Sequence, residues 1–153
     1  MLQLETSRLL VRPFRESDAE ALCAVLSDPA VMRWIEPPFT EEQTRTFIRE
    51  NGLCRPAQVY AVTLKESGEL IGQLIWHPWD GTATELGWIL RRDHWGRGFA
   101  GELTDALLMQ TERDIVIECS SEQTATRYIA ESRGFVLSGE NDGLLVYRHT
   151  RKS

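Results

Sequence analysis

Glu85–Leu103 reads ELGWILRRDHWGRGFAGEL, which is an apolar run of strand type, a turn with two glycines and an amphipathic helix. A helix that follows a strand through such a turn leaves its first N–H groups without partners, and the helix dipole favours an anion there. Gly96 and Gly98 also let a ligand approach the bare backbone. This stretch therefore predicts a phosphate-binding turn between a strand and a helix.

Two other glycine motifs fit this stretch less well. A Walker loop would end in Gly-Lys-Ser or Gly-Lys-Thr, and neither occurs here. Residues 96–101 satisfy a loose Rossmann pattern, and Glu118 follows at about the expected distance of ~20 residues. Too little chain follows the loop, however, for a second nucleotide-binding half. From the loop alone, a turn that binds no ligand stays open as the alternative.

Composition narrows the function classes. The chain has 153 residues, of which 42% are hydrophobic and 26% charged, so we expect residues 1–153 to form one domain. The net charge of −6 argues against a nucleic-acid partner, since phosphate binding needs a basic face. The same charge would attract a cationic substrate.

The lack of a recognisable targeting signal and the pattern of cysteines predict a cytoplasmic chain. No apolar run reaches the length of a membrane helix, and residues 1–5 lack the regions of a signal peptide, so no membrane partner is expected. Cys23, Cys54 and Cys119 are odd in number and lack metal-type spacing. Reduced thiols are therefore expected, and no bound metal.

The remaining chain alternates helix and strand patterns in an order typical of the α+β class. Helices are expected after the capping boxes at 17–20, 40–43 and 120–123, and directly after the glycine turn. Short links predict an antiparallel meander before that turn, and a strand-helix-strand succession predicts one parallel junction after it. The sum is a mixed sheet of six or seven strands with about four helices; the strands are predicted at 8–12, 59–64, 70–76, 82–90, 115–119, 135–137 and 144–148.

Four segments resemble the GNAT (GCN5-related) N-acetyltransferase superfamily. Residues 95–100, Trp-Gly-Arg-Gly-Phe-Ala, are similar to its pantetheine-pyrophosphate loop in the form used by the RimJ/RimL-type branch. Residues 4–13 and 27–32 are similar to other segments of that branch, and residues 123–135 resemble the family helix that ends in Gly-Phe. The resemblance spans nearly the whole chain and implies a single GNAT-type domain.

This resemblance implies a cofactor site and a set of residues that line it. Acetyl-CoA would serve as the acetyl donor, with its pyrophosphate on the glycine turn and on arginines such as Arg92. Gln123 stands where the family often has an Asn that bonds the pantetheine arm. The implied cofactor-binding residues are Ile89, Leu90, Arg91, Trp95, Gly96, Arg97, Gly98, Phe99, Ala100 and Gln123.

The catalytic residues are less closely marked. Glu85 lies on the strand before the loop, where some members carry a general base, but it could equally be a solvated strand residue. The family often supplies a Tyr as acid to the departing thiolate, and this chain has Ala130 there. Thr126 can donate through its hydroxyl instead. Tyr128 and water are the other candidates, and helical spacing turns Tyr128 to a different face.

Several further roles follow from the resemblance and from residue chemistry. A backbone N–H of Trp88, Ile89 or Leu90 would face the thioester oxygen. Trp34 lies where the family shapes its acceptor site, and a tryptophan face can hold a cationic amine. The histidines at 77 and 94 could titrate near neutral pH, although loop histidines are more often surface residues.

The expected activity is acetyl-CoA-dependent N-acetylation of a primary amine by direct attack, with no covalent intermediate. The acceptor, a protein N-terminus or a small-molecule amine, is not marked by any motif. The alternative is a non-catalytic acyl-CoA-binding module that acts as a sensor or binds a partner. Its support is the Ala at position 130 and the Gln at position 123. The oligomeric state is open, with a homodimer as one option.

Overall fold

The computed structural model describes residues 2–151, and these form one mixed sheet and five α-helices. The strands are β1 (Leu4–Glu5), β2 (Leu9–Arg12), β3 (Val59–Leu64), β4 (Leu70–Pro78), β5 (Ala83–Leu90), β6 (Asp114–Cys119), β7 (Val136–Asn141) and β8 (Leu144–His149). The helices are α1 (Ala19–Leu26), α2 (Pro29–Met32), α3 (Glu41–Phe47), α4 (Phe99–Gln110) and α5 (Thr124–Ser132). The α+β class is confirmed.

Strand order in the sheet is β1-β2-β3-β4-β5-β6-β8-β7. Every neighbouring pair is antiparallel except β5 and β6, which the α4 crossover joins in parallel. The predicted meander and the single parallel junction are thus confirmed. The described residues contain eight strands rather than six or seven, because the short β1 pairs with β2. The fifth helix is the single turn α2, which Asp28 caps.

The sheet carries a separate apolar cluster on each side. On the α4 face, strand residues such as Leu86 and Leu90 pack with α4 and with Ala130 of α5. On the α1 face, Ile89 packs with α1, α2 and the π-helical turn Ile48–Gly52 that extends α3. Because side chains alternate along a strand, successive residues of β5 meet different helices.

The predicted capping signals differ in outcome. The Thr40 box is confirmed, since Thr40 Oγ1 accepts the Gln43 N–H and Gln43 Oε1 accepts the Thr40 N–H. The box at 17–20 is wrong, because the carboxylate of Asp18 accepts the Arg15 N–H instead. That carboxylate also pairs with Arg12, and this tertiary contact displaces the start of the helix. The box at 120–123 is also early, since α5 begins at Thr124.

The predicted turns around α5 and β8 are confirmed. Gly134 has φ +85° and ends α5 in the left-handed region. Asp142 and Gly143 have φ values of +50° and +82°, as a two-residue turn between antiparallel strands requires. Together they bring β8 between β6 and β7.

Candidate active site

Strands β5 and β6 separate along their length and leave a gap in the sheet. Their parallel pairing covers only Ala83–Glu85 against Asp114–Val116. Beyond Glu85, β5 continues to Leu90 paired with β4 alone, and β6 continues to Cys119 paired with β8. The result is a V-shaped opening that widens toward the carboxyl ends of both strands.

The backbone of β5 presents polar groups to this gap. Arg91 N–H donates to Ile71 O at 2.7 Å, so odd-numbered residues of β5 point their backbone groups toward β4. The alternation then turns the N–H groups of Trp88 and Leu90 toward the gap. Among the three expected donors, Ile89 is therefore engaged with β4, and its side chain is buried on the α1 face.

The glycine turn lies at the open end of the gap, where β5 leads into α4. Gly96 and Gly98 have φ values of +74° and +81°, and Gly98 is the N-terminal cap of α4. Its lack of a side chain leaves the first N–H groups of α4, those of Phe99 and Ala100 among them, without a side-chain cap. The Phe99 side chain is buried, so only its backbone can meet a ligand.

The side chains around the turn have distinct tasks. Trp95 is half exposed and its indole N–H donates to Leu90 O at 2.9 Å, which ties the turn to the end of β5. Arg91 is paired with Asp93 and Glu69, at 2.7 and 2.9 Å. Those acids raise the pKa of Arg91 and keep its guanidinium occupied.

The two remaining arginines of the turn differ in whether an acidic residue pairs with them. Arg92 pairs with Asp28 at the start of α2. Arg97 is exposed and has no ion pair with any residue in the range 2–151. Of the three arginines in the turn, Arg97 is therefore the one whose charge is available to a phosphate.

Arg8 is a further cation at the turn that the sequence did not single out for this role. Its guanidinium carbon lies 4.2 Å from the centre of the Phe99 ring, and Nη2 lies 3.6 Å from where a Cβ on Gly98 would be. Glu102 holds Arg8 through Nε at 2.8 Å. The only signal was that Arg8 belongs to the family-like segment 4–13, which lies some 90 residues away in the chain.

Glu85 stands at the closed end of the gap. It is the last residue of β5 with a partner on both sides, His77 on β4 and Val116 on β6. Its side chain is 17% exposed, and Oε1 lies 3.5 Å from His77 Nε2. Burial raises the pKa of the Glu85 carboxyl above its ordinary value; His77 opposes this rise and Glu118 adds to it. A carboxylate with a raised pKa is suited to accept a proton near neutral pH.

The candidate site residues on and before helix α5 differ in how exposed they are and in which groups they leave open to a ligand. Thr126 is half-buried and shares a helix face with Ala130, which is fully buried against the sheet. Tyr128 is 71% exposed, so its phenol points to solvent and away from the gap. Gln123 accepts the Ser120 N–H through Oε1 at 2.8 Å, which leaves its amide N–H₂ as the group open to a ligand.

Three other residues differ from expectation or acquire a structural role. His94 is buried against Phe99 and its Nδ1 lies 3.0 Å from the Asp93 carboxylate, so it is not a surface residue. Trp34 is 37% exposed, but the Arg33 guanidinium already lies 4.5 Å from its ring centre. Cys119 is buried near the wide end of the gap, and burial raises the pKa of its thiol.

The described part of the chain lacks a metal-type cluster and a membrane-spanning helix. Residues 2–151 contain no group of three or more His, Cys, Asp or Glu side chains placed to hold a metal ion. None of the helices in that range has the length and apolarity needed to cross a membrane.

A model of the acetyltransferase (GNAT) domain matches residues 8–136. The chain belongs to the GNAT acetyltransferase family. Among curated GNAT relatives, the uncharacterized N-acetyltransferase YnaD of Bacillus subtilis is 33% identical over 109 residues, which are 70% of this chain and 64% of YnaD. The match thus spans less than two thirds of the length of that relative.

Solved structures agree with the GNAT assignment. A GNAT-family acetyltransferase from Bacillus anthracis matches with a TM-score of 0.86 and 28% identity, over 97% of this chain and 98% of that one. RimL, a ribosomal alpha-N-protein acetyltransferase in complex with coenzyme A, matches with a TM-score of 0.83 over 98% of each chain. At 22% identity this second likeness concerns the GNAT fold alone.

Proposed function

We propose that this chain is an acetyl-CoA-dependent N-acetyltransferase that acts on a primary amine by direct attack, with residues 1–153 as one catalytic domain. The observation that carries the proposal is the gap between β5 and β6. It has a desolvated carboxylate at its closed end, Glu85, and an uncapped helix N-terminus at its open end, beside Gly98. Groups suited to proton transfer and to anion binding thus lie at the two ends of one gap.

The residues present fit a coenzyme with a pyrophosphate. The turn Gly96–Ala100 offers backbone N–H groups and close approach, and Arg97 and Arg8 add positive charge next to it. Gln123 can donate its amide protons to the pantetheine arm. When bound, the thioester supplies an activated acetyl group to the site.

The protein groups along the gap fit the demands of acyl transfer to an amine. Glu85 would take a proton from the ammonium form of the acceptor, because a protonated amine cannot attack. The N–H groups of Trp88 and Leu90 would stabilise negative charge on the carbonyl oxygen. Thr126 would donate its hydroxyl proton toward the departing sulfur, since Ala130 cannot and Tyr128 points away.

The acceptor is proposed as an amine in its cationic resting form. The chain carries a net charge of −6, and Glu118 on β6 lies close enough to Glu85 to raise the pKa of its carboxyl. Both features favour a positively charged substrate over an anionic one. A peptide N-terminus, a polyamine and an amino sugar meet this description, and a panel of amines separates them.

Release of coenzyme A thiol tests the proposal. The purified protein is mixed with acetyl-CoA and a panel that includes peptides with free N-termini, polyamines and amino sugars. We expect at least one amine to accelerate thiol release in proportion to enzyme, and mass spectrometry to find the acetylated amine. Binding of acetyl-CoA without acceleration by any amine would favour the alternative, a non-catalytic acyl-CoA-binding module.

A further inference from the structure

Glu85 needs a way to release the protons that it would accept. Its side chain is only 17% exposed, so direct loss of a proton to bulk water is hindered. The strand neighbour on one side is Val116, which cannot carry a proton. On the other side lies His77, whose side chain is 26% exposed.

The contacts of His77 define which ring nitrogen carries the proton. Nδ1 lies 3.0 Å from the carbonyl oxygen of Pro78, and a carbonyl can only accept. Nδ1 therefore holds the hydrogen in the neutral ring. Nε2 therefore carries the lone pair and lies 3.5 Å from Glu85 Oε1, which is longer than a hydrogen bond but close enough for one to form when either side chain adjusts.

His77 also borders a cavity of about 680 Å³ at the end of the sheet opposite the glycine turn. The cavity lies beside the C-terminus of α4, and Arg55 and Arg113 line it together with His77. No carboxylate lines it among the described residues. A ring at the wall of this cavity can pass a proton to water.

We propose that His77 is a proton relay that carries the proton from Glu85 to the cavity. This inference rests on the proposed function and adds a residue to it. The acceptor ammonium gives one proton to the Glu85 carboxylate, and Oε1–H passes it to His77 Nε2 as the carboxylate re-forms. The resulting imidazolium keeps the Nδ1 hydrogen on Pro78 O and gives the Nε2 proton to a water from the cavity, which restores the starting tautomer. As the amide C–N bond forms and the C–S bond breaks, Thr126 gives its hydroxyl proton to the departing sulfur, and the second amine proton replaces the one that Thr126 has lost.

Three strands supply the titratable groups in and around the Glu85–His77 pair. Glu85 on β5 meets His77 from β4 and Glu118 from β6. Glu118 is itself bonded to Asn141 Nδ2 at 3.0 Å, which holds it in place on the far side of the gap. From the cavity side, Arg113 is fixed by the carbonyl oxygens of Asp80 and Ala83. No other titratable residue within 2–151 is found to perturb Glu85.

The variant His77→Gln separates a relay from a structural role. Its amide fills a similar space and can donate a hydrogen bond to Glu85, but it cannot take up and release a proton. We expect turnover to fall about tenfold in weak buffer, less than for loss of the general base itself because water can still take the proton slowly, with the KM for acetyl-CoA unchanged. Added imidazole should restore most of that loss, because a small diffusible base can take the proton from Glu85.

The remaining outcomes overturn the relay. Full turnover in His77→Gln, or a loss that imidazole does not restore, would show that His77 moves no proton. Nitrogen NMR of the unliganded protein gives a second reading, in which a neutral ring protonated at Nε2 contradicts the relay. Glu85→Gln is the matched control and should lose turnover that imidazole cannot restore.

The same measurements show whether a negative result concerns the proposed function or the relay alone. If no amine accelerates thiol release by the wild-type chain, the acetyltransferase proposal fails and the relay fails with it. If amines react but Glu85→Gln is fully active, the base assignment and the relay fail while the acetyltransferase stands. If Glu85→Gln loses turnover but His77→Gln keeps full turnover, the relay alone is wrong.

Discussion

The glycine turn at the open end of the gap and the carboxylate at its closed end are built in different ways. The turn consists of residues adjacent in the chain, and its anion-binding groups are backbone N–H groups that follow from two left-handed glycines and a helix start. Around Glu85, by contrast, three strands contribute one side chain each. A local element depends on its own conformation, whereas an assembled centre depends on register.

The largest effect is expected at the assembled centre. Glu85→Gln keeps the size and shape of the side chain but cannot accept a proton, so turnover should fall about 100-fold. Steady-state rates across pH measure it, and the variant should also lose the rise in rate with pH. An unaltered profile of rate against pH would show that catalysis does not depend on the Glu85 centre. The contrast between this centre and the glycine turn would then not apply to catalysis.

The folding stability of the same variant provides its control. Burial raises the pKa of Glu85, so the folded state disfavours the carboxylate and stability is lost as pH rises through that pKa. Glu85→Gln should therefore unfold at a higher temperature than wild type at about pH 8, and at the same temperature below about pH 4, where the carboxyl is protonated in both states. A lower melting temperature at the higher pH would mean that lost activity reflects lost folding.

The second effect concerns the local element. Gly98→Ala puts a Cβ at φ +81° on the face of the turn where the first helical N–H groups are exposed, and we expect affinity for acetyl-CoA to fall about tenfold. Calorimetry or fluorescence titration measures it. Gly68→Ala is the matched control, because Gly68 has φ +78° in a hairpin turn with nothing within 4 Å.

Both glycine variants should lose a similar amount of stability, about 1 kcal/mol. Only Gly98→Ala should weaken binding. Equal affinity in the two variants would remove the pyrophosphate role from the turn.

A smaller effect is expected on α5. Thr126→Val removes the hydroxyl from a half-buried position while keeping the branched shape, and loss of one hydrogen bond should slow turnover about fivefold. Tyr128→Phe should leave the rate unchanged, since that phenol points to solvent. Rates with several amines compare the two variants, and an unchanged rate in Thr126→Val would assign the proton donor to water.

The smallest effect sharpens the electrostatics of the assembled centre. Glu118 raises the pKa of Glu85, so Glu118→Gln should shift the acidic limb of the rate profile to lower pH and leave the plateau rate unchanged. A full pH profile of both proteins detects the shift. A shift to higher pH would contradict the arrangement of these two carboxylates.

Prediction from sequence succeeded where structure is local. The Thr40 cap, the turn at Asp142 and Gly143, and the glycine turn were all predicted within short windows, because a few side chains fix the backbone there. It failed where a residue from another element of the fold intervenes. Ser17 was expected to cap α1, but Arg12 on β2 holds the carboxylate of Asp18, which then bonds the Arg15 N–H.

The candidate site shows the same division. Sequence predicted the loop residues and named Glu85, yet it treated His77 as a loop histidine, and strand β4 extends to include it. Arg8 was named only as part of a family-like segment. Its place beside Gly98 arises because β2 and the start of α4 meet through Glu102.

By itself the sequence determined the α+β class, the family resemblance and the conformation of the glycine turn, because local periodicity, caps and glycines fix these within a few residues. Tertiary structure decided which backbone N–H groups of β5 face the gap, how far Glu85 is removed from water and that His77 is its neighbour. Those properties depend on strand register and on where two parallel strands part, and both are set by contacts between residues far apart in the chain.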